Sequence, residues 1–216
     1  MIPSIENIVN VKMDGSCGFH VIARHMGMDE ENHILVRSAL IPKLKTNKRD
    51  YLPIFGSEEP FQYIMNDLRP PTNSGGIAYL DKWLTLPDMR HIVVICYNSV
   101  VVQVVFPERG IYETFFPFRG APPLNPHAHI MCLGLIPGHF LHVYLKDDCR
   151  LPPSCMEWKN HKIGEAERWE FEFLDRQALF KDIMSMESKP PKKSKIISIR
   201  FIVTLPLRQN QKENLK

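Results

Sequence analysis

The sequence predicts one α+β domain with a tail, because helical patterns come first along the chain and a strand-rich block follows them. With 216 residues, of which 44% are hydrophobic and 24% charged, the chain has enough apolar material for a single core. No internal repeat is visible, which argues against a solenoid or a propeller. We therefore expect a compact mixed domain in which helices pack on a sheet.

The helices are predicted from apolar residues at helical spacing. The first begins at Cys17, where the loop sequence DGS ends, and Gly27 is placed to cap its C-terminus. Its spaced residues are Phe19, Ile22, Ala23 and Met26. A second helix is predicted over residues 30–47, although Pro42 could kink or break it. Its apolar face would consist of Ile34, Leu35, Leu40, Ile41 and Leu44. Residues 169–186 are again helical in character.

The strands are predicted from apolar runs rich in β-branched residues. The runs HIVVICY and VVVQVVF suggest two strands joined by a tight turn at Asn98 and Ser99, or one bent strand. The lead-in IENIVNVKM is predicted to be extended. Further strands are expected in the runs YETFFPF, AHIMCLGLI and HFLHVYLK.

The composition indicates the cellular compartment and the partners to expect. Five cysteines without regular spacing are typical of reduced thiols inside a cell, and the net charge of +3 is too small to indicate a nucleic-acid partner. No secretory signal is visible, and no window approaches about 18 uninterrupted apolar residues. We expect an intracellular protein, cytoplasmic and/or nuclear, with no membrane partner. The basic segment KPPKKSK at 189–195 suggests a solvated linker or a nuclear-import signal, followed by a tail of unassigned role.

The sequence DGSCG at 14–18 carries the chemistry of most interest. A thiol in the first turn of a helix lies near unpaired backbone N–H groups, which are expected to lower its pKa. The same groups, with those of the Gly15–Ser16 turn, could hold a developing oxyanion. Gly15 and Gly18 would leave room for a substrate backbone. The alternative is that Cys17 is a buried structural cysteine.

A cysteine nucleophile needs a histidine base from elsewhere in the fold. The run PGHFLHVYL offers His139 and His142, which on a strand point to opposite faces. His139 follows Pro137 and Gly138, so it is expected at the start of the strand, where a side chain can reach a site. His142 is the alternative base, or a hydrogen-bonded histidine of the sheet.

These two motifs resemble those of the OTU (ovarian tumour) cysteine proteases over roughly residues 8–155, in the order that the family shows. The segments DKWLTLPDM, FFPFRGAPP and HIMCLGLIPGHFLHVYLKDDCRLPP further resemble the plant and Mutator-like transposon-associated type. The resemblance implies a papain-like fold of the OTU type, with helices on a small, mostly antiparallel sheet. It also implies that Cys17 is the nucleophile, that His139 is the base and that Asp14 supports the active site.

One position departs from the family pattern. Many OTU enzymes place Asn or Asp two residues after the histidine to orient the imidazole, whereas this sequence has Leu141. The orienting residue would then be Asp14 or Asn10, and the sequence does not choose between them. Asp14 could also act only as a helix N-cap.

The resemblance implies a thiol-dependent deubiquitinase. The substrate would be ubiquitin or a ubiquitin-like protein, whose isopeptide or peptide bond is hydrolysed without a metal or organic cofactor. The alternative is a weakly active or inactive ubiquitin- or partner-binding module, which Leu141 keeps open. A zinc site is not predicted, because the Cys/His-rich stretch lacks any Cys-x-x-Cys pair. That stretch contains Cys132, His139, His142, Cys149, Cys155 and His161.

Three segments are predicted along the chain. Residues 1–160 would form the OTU-like catalytic domain, and residues 161–188 a helical extension. Residues 189–216 would form the basic linker and tail.

Overall fold

A computed structural model describes residues 4–71, 77–85, 88–106 and 112–187. The predicted linker and tail at 189–216 lie outside the described residues. Within the described part of the chain, no helix is both long enough and apolar enough to cross a membrane.

Five strands form one sheet in the order β1-β5-β4-β2-β3. Three of the neighbouring pairs, β1–β5, β4–β5 and β2–β3, are antiparallel, and β2 pairs with β4 in parallel. The expectation of an α+β fold with a small, mostly antiparallel sheet is therefore confirmed. The strands are β1 (Ile5–Asn10), β2 (Val100–Val105), β3 (Glu113–Phe115), β4 (Ile130–Ile136) and β5 (His139–Leu145).

Eight α-helices are described, and the first lies at the centre of the fold. Helix α1 contacts β5 and β4 of the sheet and, on another side, helix α2. All of its residues from Cys17 to Ala23 are buried. The helices are α1 (Cys17–His25), α2 (His33–Thr46), α3 (Lys48–Phe55), α4 (Glu58–Asp67), α5 (Asp88–Tyr97), α6 (Met156–His161), α7 (Glu167–Phe171) and α8 (Leu174–Glu187).

Helix α1 begins and ends where the sequence predicts. Gly27 has a left-handed backbone with a φ of 70°, and Met28 N–H donates to the Ala23 carbonyl at 3.0 Å. This closing bond is typical of a glycine-terminated helix. Because both ends of α1 are fixed by local sequence, Cys17 is held at its first residue.

Helix α2 corrects two expectations. It continues through Pro42 without a break, and its core-facing residues are Val36, Arg37, Leu40 and Leu44. Ile34 and Leu35, expected on the apolar face, are 47% and 58% exposed. The prediction assumed that only apolar residues face the core, whereas the buried face of α2 contains Arg37.

The run HIVVICY is helical, so the predicted strand or hairpin there is wrong. It belongs to α5, which packs between α2 on one side and β2 and β3 on the other. A helix that is buried on several sides shows no periodicity to separate it from a buried strand, and β-branched composition then misleads. Asn98, expected in a β-turn, has a φ of 47° and lies directly after the helix.

The predicted helix over 169–186 is two helices, α7 and α8. Trp169 and Phe173 are fully buried, and their rings stack with Phe116, which follows β3. Helix α6 runs across the predicted boundary at residue 160. The segment after that boundary thus shares a core with the residues before it, while the boundary itself stays a prediction.

Candidate active site

Cys17 is the first residue of α1 and is only 5% exposed. Burial raises the pKa of its thiol, and the backbone N–H groups of Phe140 and Gly18, which bond to the sulfur, lower it only in part. The net shift is upward. The expectation that the helix N-terminus lowers the pKa of Cys17 is therefore wrong for this structure, because desolvation outweighs the N–H groups.

The contact with Phe140 fixes where Cys17 lies relative to the sheet. Phe140 is the second residue of β5 and directly follows His139. Its N–H bonds the Cys17 sulfur, so the start of α1 and the start of β5 meet at one place. Two motifs that are far apart in the sequence are thus brought to the same end of the fold.

His139 is oriented by Asn10. The ring is 3% exposed, and its Nε2 lies 2.7 Å from the Asn10 side-chain oxygen. Because an amide oxygen only accepts, Nε2 carries the hydrogen and Nδ1 is left as the basic nitrogen of the neutral ring. Nδ1 has no hydrogen-bond partner among the described residues.

The register of β1 on β5 explains how Asn10 reaches this histidine. Asn10 lies directly opposite Leu141 in the antiparallel pair, so both side chains project from the same face of the sheet. His139 is two residues from Leu141 and also projects from that face. Asn10 is therefore the cross-strand neighbour of Leu141, on the face from which His139 projects.

Burial, followed by the nearby charge of His20, lowers the pKa of His139. With the pKa of Cys17 raised and that of His139 lowered, the two groups favour their neutral forms.

Asp14, the other candidate for orienting the base, binds a different histidine. Both of its carboxylate oxygens lie 3.0 Å from His20 Nε2, and one also accepts the Ser16 N–H at 2.8 Å. Burial alone would raise the pKa of Asp14, but the hydrogen bonds from Ser16 and His20 outweigh it and hold the pKa below its usual value. The Ser16 N–H is thus already paired, although it was expected among the oxyanion donors.

Two buried residues around the loop at residues 14–16, which precedes Cys17, were not singled out from the sequence. His20, fully buried on α1, also has its Nδ1 at 2.6 Å from the Glu30 carbonyl, so it links the loop to the segment after the helix. Arg37 of α2 is fully buried over the Phe19 ring and donates to the Ser16 hydroxyl and to the Lys82 carbonyl. No periodicity in the sequence marks either residue, because both occupy positions on helices that look like ordinary polar sites.

Gly15 and Gly18 lie so close to other parts of the chain that neither position has space for a side chain. Gly15 has a φ of 83°, and a Cβ there would lie 2.6 Å from Trp83 Nε1. A Cβ at Gly18 would lie 2.6 Å from the Leu84 side chain. The expectation that these glycines clear a path for substrate is corrected: their close neighbours are residues 78–84, which pack on the loop.

His142, the alternative base, lies in other surroundings. Its ring centroid is 4.3 Å from that of Tyr144 and 6.1 Å from that of His25, the last residue of α1. Burial and the charge of Arg24 lower the pKa of His142 to about 4. It therefore lies beside the end of α1 opposite to Cys17.

The group of three described side chains that could hold a metal does not include any of these residues. It consists of His91, Cys155 and Glu157. The candidate site thus offers a buried thiol at the start of α1 and, at the start of β5, an imidazole whose Nε2 is held by an amide.

Comparisons with known proteins find similarity only among solved structures. No family model matches the sequence, and no curated protein matches it. Among solved structures, the viral OTU domain protease from Farallon virus is similar with a TM-score of 0.43 and 15% identity, over 65% of this chain and 85% of that chain. This likeness is too distant to assign a family or an activity to the chain.

Proposed function

We propose that the protein is an OTU-type cysteine protease that acts through Cys17 and His139. The observation that carries the proposal is the hydrogen bond from His139 Nε2 to Asn10, which leaves Nδ1 as a base at the end of β5 that meets Cys17. A buried imidazole with one nitrogen held by an amide and the other unpaired is the arrangement that a thiol nucleophile requires.

In the proposed reaction, His139 Nδ1 takes the proton of the Cys17 thiol as the sulfur attacks the substrate carbonyl. The oxyanion is held by N–H groups at the start of α1, of which that of Ser16 is occupied by Asp14 in the free protein. His139 then gives the proton to the leaving amine, and a thioester forms. Water, deprotonated by His139, attacks the thioester, and release of the carboxylate returns the proton to the sulfur.

The proposed substrate is ubiquitin or a ubiquitin-like protein, and the bond is the isopeptide or peptide bond that follows its C-terminus. This choice rests on the resemblance of the Cys17 and His139 motifs to the OTU proteases. The likeness of the surrounding segments to the plant and transposon-associated type, and an intracellular setting, belong to the same proposal.

A second candidate function is a ubiquitin-binding module with little turnover. It is favoured by the burial of Cys17, which is only 5% exposed and whose pKa is raised. In that case the fold would hold a partner without efficient attack by the thiol.

The test is reaction of the full chain with ubiquitin that carries a C-terminal electrophile, followed by intact mass measurement. We expect a single covalent adduct with the wild-type protein and with Cys96→Ser, a control at a half-buried cysteine, and none with Cys17→Ala. If folded wild-type protein forms no adduct with ubiquitin or ubiquitin-like probes but binds unmodified ubiquitin in calorimetry, the binding module is the correct function.

A further inference from the structure

A buried histidine outside the candidate active site has a ring without hydrogen bonds in the part of the chain that the structure describes. His91 of α5 is 1% exposed, and neither of its ring nitrogens has a hydrogen-bond partner among the described residues. Its ring lies 5.4 Å from that of Phe115 and 4.8 Å from that of Phe118. Leaving a polar group buried without a partner costs about 1–3 kcal/mol, so such a group calls for an explanation.

Two further metal-ligand side chains converge on this histidine. The sulfur of Cys155, a carboxylate oxygen of Glu157 and a ring nitrogen of His91 all lie within 4.8 Å of one another. Cys155 is 1% exposed and directly precedes α6, and Glu157 is half-buried in its first turn. The ligand types thus come from two distant parts of the chain, which only the fold brings together.

We propose that His91, Cys155 and Glu157 bind a zinc ion. Imidazole nitrogen, thiolate sulfur and carboxylate oxygen are the three ligand types of protein zinc sites, and tetrahedral ligands lie about 3.5 Å apart around the ion. A contraction of about an ångström, within the reach of side-chain rotation, would complete the site. Thiolate and carboxylate would neutralise the charge of the ion, and one orphaned nitrogen of His91 would gain a partner.

The fourth ligand would be water, or His161 after a rotation of its side chain, because its ring nitrogens lie outside the group of three within 4.8 Å. His161 is the last residue of α6 and lies four positions after Glu157, so both side chains project from the same face of the helix. The adjacent Arg90 directs its guanidinium to Gln103 and over the Phe115 ring. With His161 as ligand the site would be closed, as structural zinc sites are.

The proposed zinc site would join α5 to α6, and through α6 to the helices that follow. It is independent of the proposed protease function, because it shares no residue with Cys17, His139 or Asn10. The sequence alone does not predict it, since His91 lies in a run of apolar residues far from the Cys/His-rich stretch that was considered for zinc.

The test is the zinc content of the full chain after zinc is added and excess is removed, measured by elemental analysis. We expect one zinc per chain in the wild-type protein, and a thiolate-to-metal absorption band when cobalt replaces zinc. Cys155→Ser should weaken zinc binding by more than about 100-fold, because loss of residues that merely support a ligand already costs about 10- to 100-fold. If Cys155→Ser does not fold, Glu157→Gln takes its place, because Glu157 is half-buried and glutamine has nearly the same shape. It should also weaken zinc binding.

Cys96→Ser and Cys17→Ala serve as matched controls and should retain zinc. The proposal is overturned if folded wild-type protein, checked by circular dichroism, binds no zinc and gives no cobalt–thiolate band. It is also overturned if the metal is kept by both Cys155→Ser and Glu157→Gln, or is lost from Cys17→Ala, since the ion would then lie elsewhere.

Discussion

The two ends of the α1–β5 pair each bury a histidine of the same strand, yet they hold it in opposite ways. At one end, His139 bonds to the Asn10 amide near the Cys17 sulfur. At the other end, His142 lies against the rings of His25 and Tyr144. Nδ1 of each ring is without a hydrogen-bond partner among the described residues. The two ends thus differ in two ways: a side-chain amide fixes the tautomer of His139, and the neighbouring residue Phe140 contacts the Cys17 sulfur.

The largest expected difference is between matched substitutions at these two histidines. His139→Gln should lower kcat/KM on a ubiquitin substrate by about 1,000-fold, the size of a lost general base, because no group would then take the thiol proton. His142→Gln should change it only a few-fold. Fluorogenic ubiquitin hydrolysis measures both.

Circular dichroism of each variant is the control for folding. If His142→Gln lowered kcat/KM more than His139→Gln in folded protein, His142 and not His139 would be the base.

The next effect concerns Asn10. Asn10→Ala should lower kcat/KM by about 100-fold, because a loosely oriented imidazole misplaces the reacting nitrogen. Adding Leu141→Asn should restore a large part of the loss, since position 141 lies opposite Asn10 and on the same face as His139. Leu141→Ala in the Asn10→Ala background is the matched control. Equal rates for the two double variants would show that Asn10 acts only through folding.

A smaller effect is expected in the pH dependence of thiol reactivity. Burial raises the pKa of Cys17 and lowers that of His139, so the thiolate fraction should rise with pH through neutrality instead of reaching a plateau there. The rate of iodoacetamide alkylation at Cys17, followed by mass spectrometry, should grow about tenfold per pH unit below the thiol pKa. A plateau from mildly acidic to neutral pH would instead indicate a preformed thiolate–imidazolium pair.

The smallest effect lies in acid stability at the His142 end. Burial lowers the pKa values of His25 and His142 from 6.5 to about 4, so the unfolded chain binds more protons between these pH values. The free energy of unfolding should therefore be fully retained above pH 6.5 and fall towards pH 4, by at most about 1.4 kcal/mol per pH unit for each group. Urea unfolding measures this slope, and His142→Gln should reduce it. An unchanged slope in that variant would remove His142 from the explanation.

The parts of the fold that depend on neighbouring residues in the sequence were predicted best. The start of α1 at Cys17 and its glycine cap depend on neighbouring residues, and the structure shows both. The sequence left Asn10 and Asp14 as candidates for orienting His139. The choice depends on which side chain lies opposite Leu141, and that is set by the strand register, which the sequence does not display. The helix α5 was missed because contacts on several sides remove its periodicity.

The remaining errors arise from tertiary burial. The direction of the Cys17 pKa depends on how completely the loop is covered, and the packing of Gly15 and Gly18 depends on residues 78–84. His20 and Arg37 have ordinary helical positions in the sequence, so only the fold shows that they hold the loop at residues 14–16.

The place of β1 in the sheet has a consequence for the orientation of His139. It is a terminal strand that is held through β5, and it supplies Asn10. Terminal strands fray more readily than central ones, with an opening equilibrium of their own. The population of molecules competent for turnover would then equal the population with β1 docked. Warming should therefore inactivate the protein before it unfolds, and hydrogen exchange along β1 should follow the loss of rate.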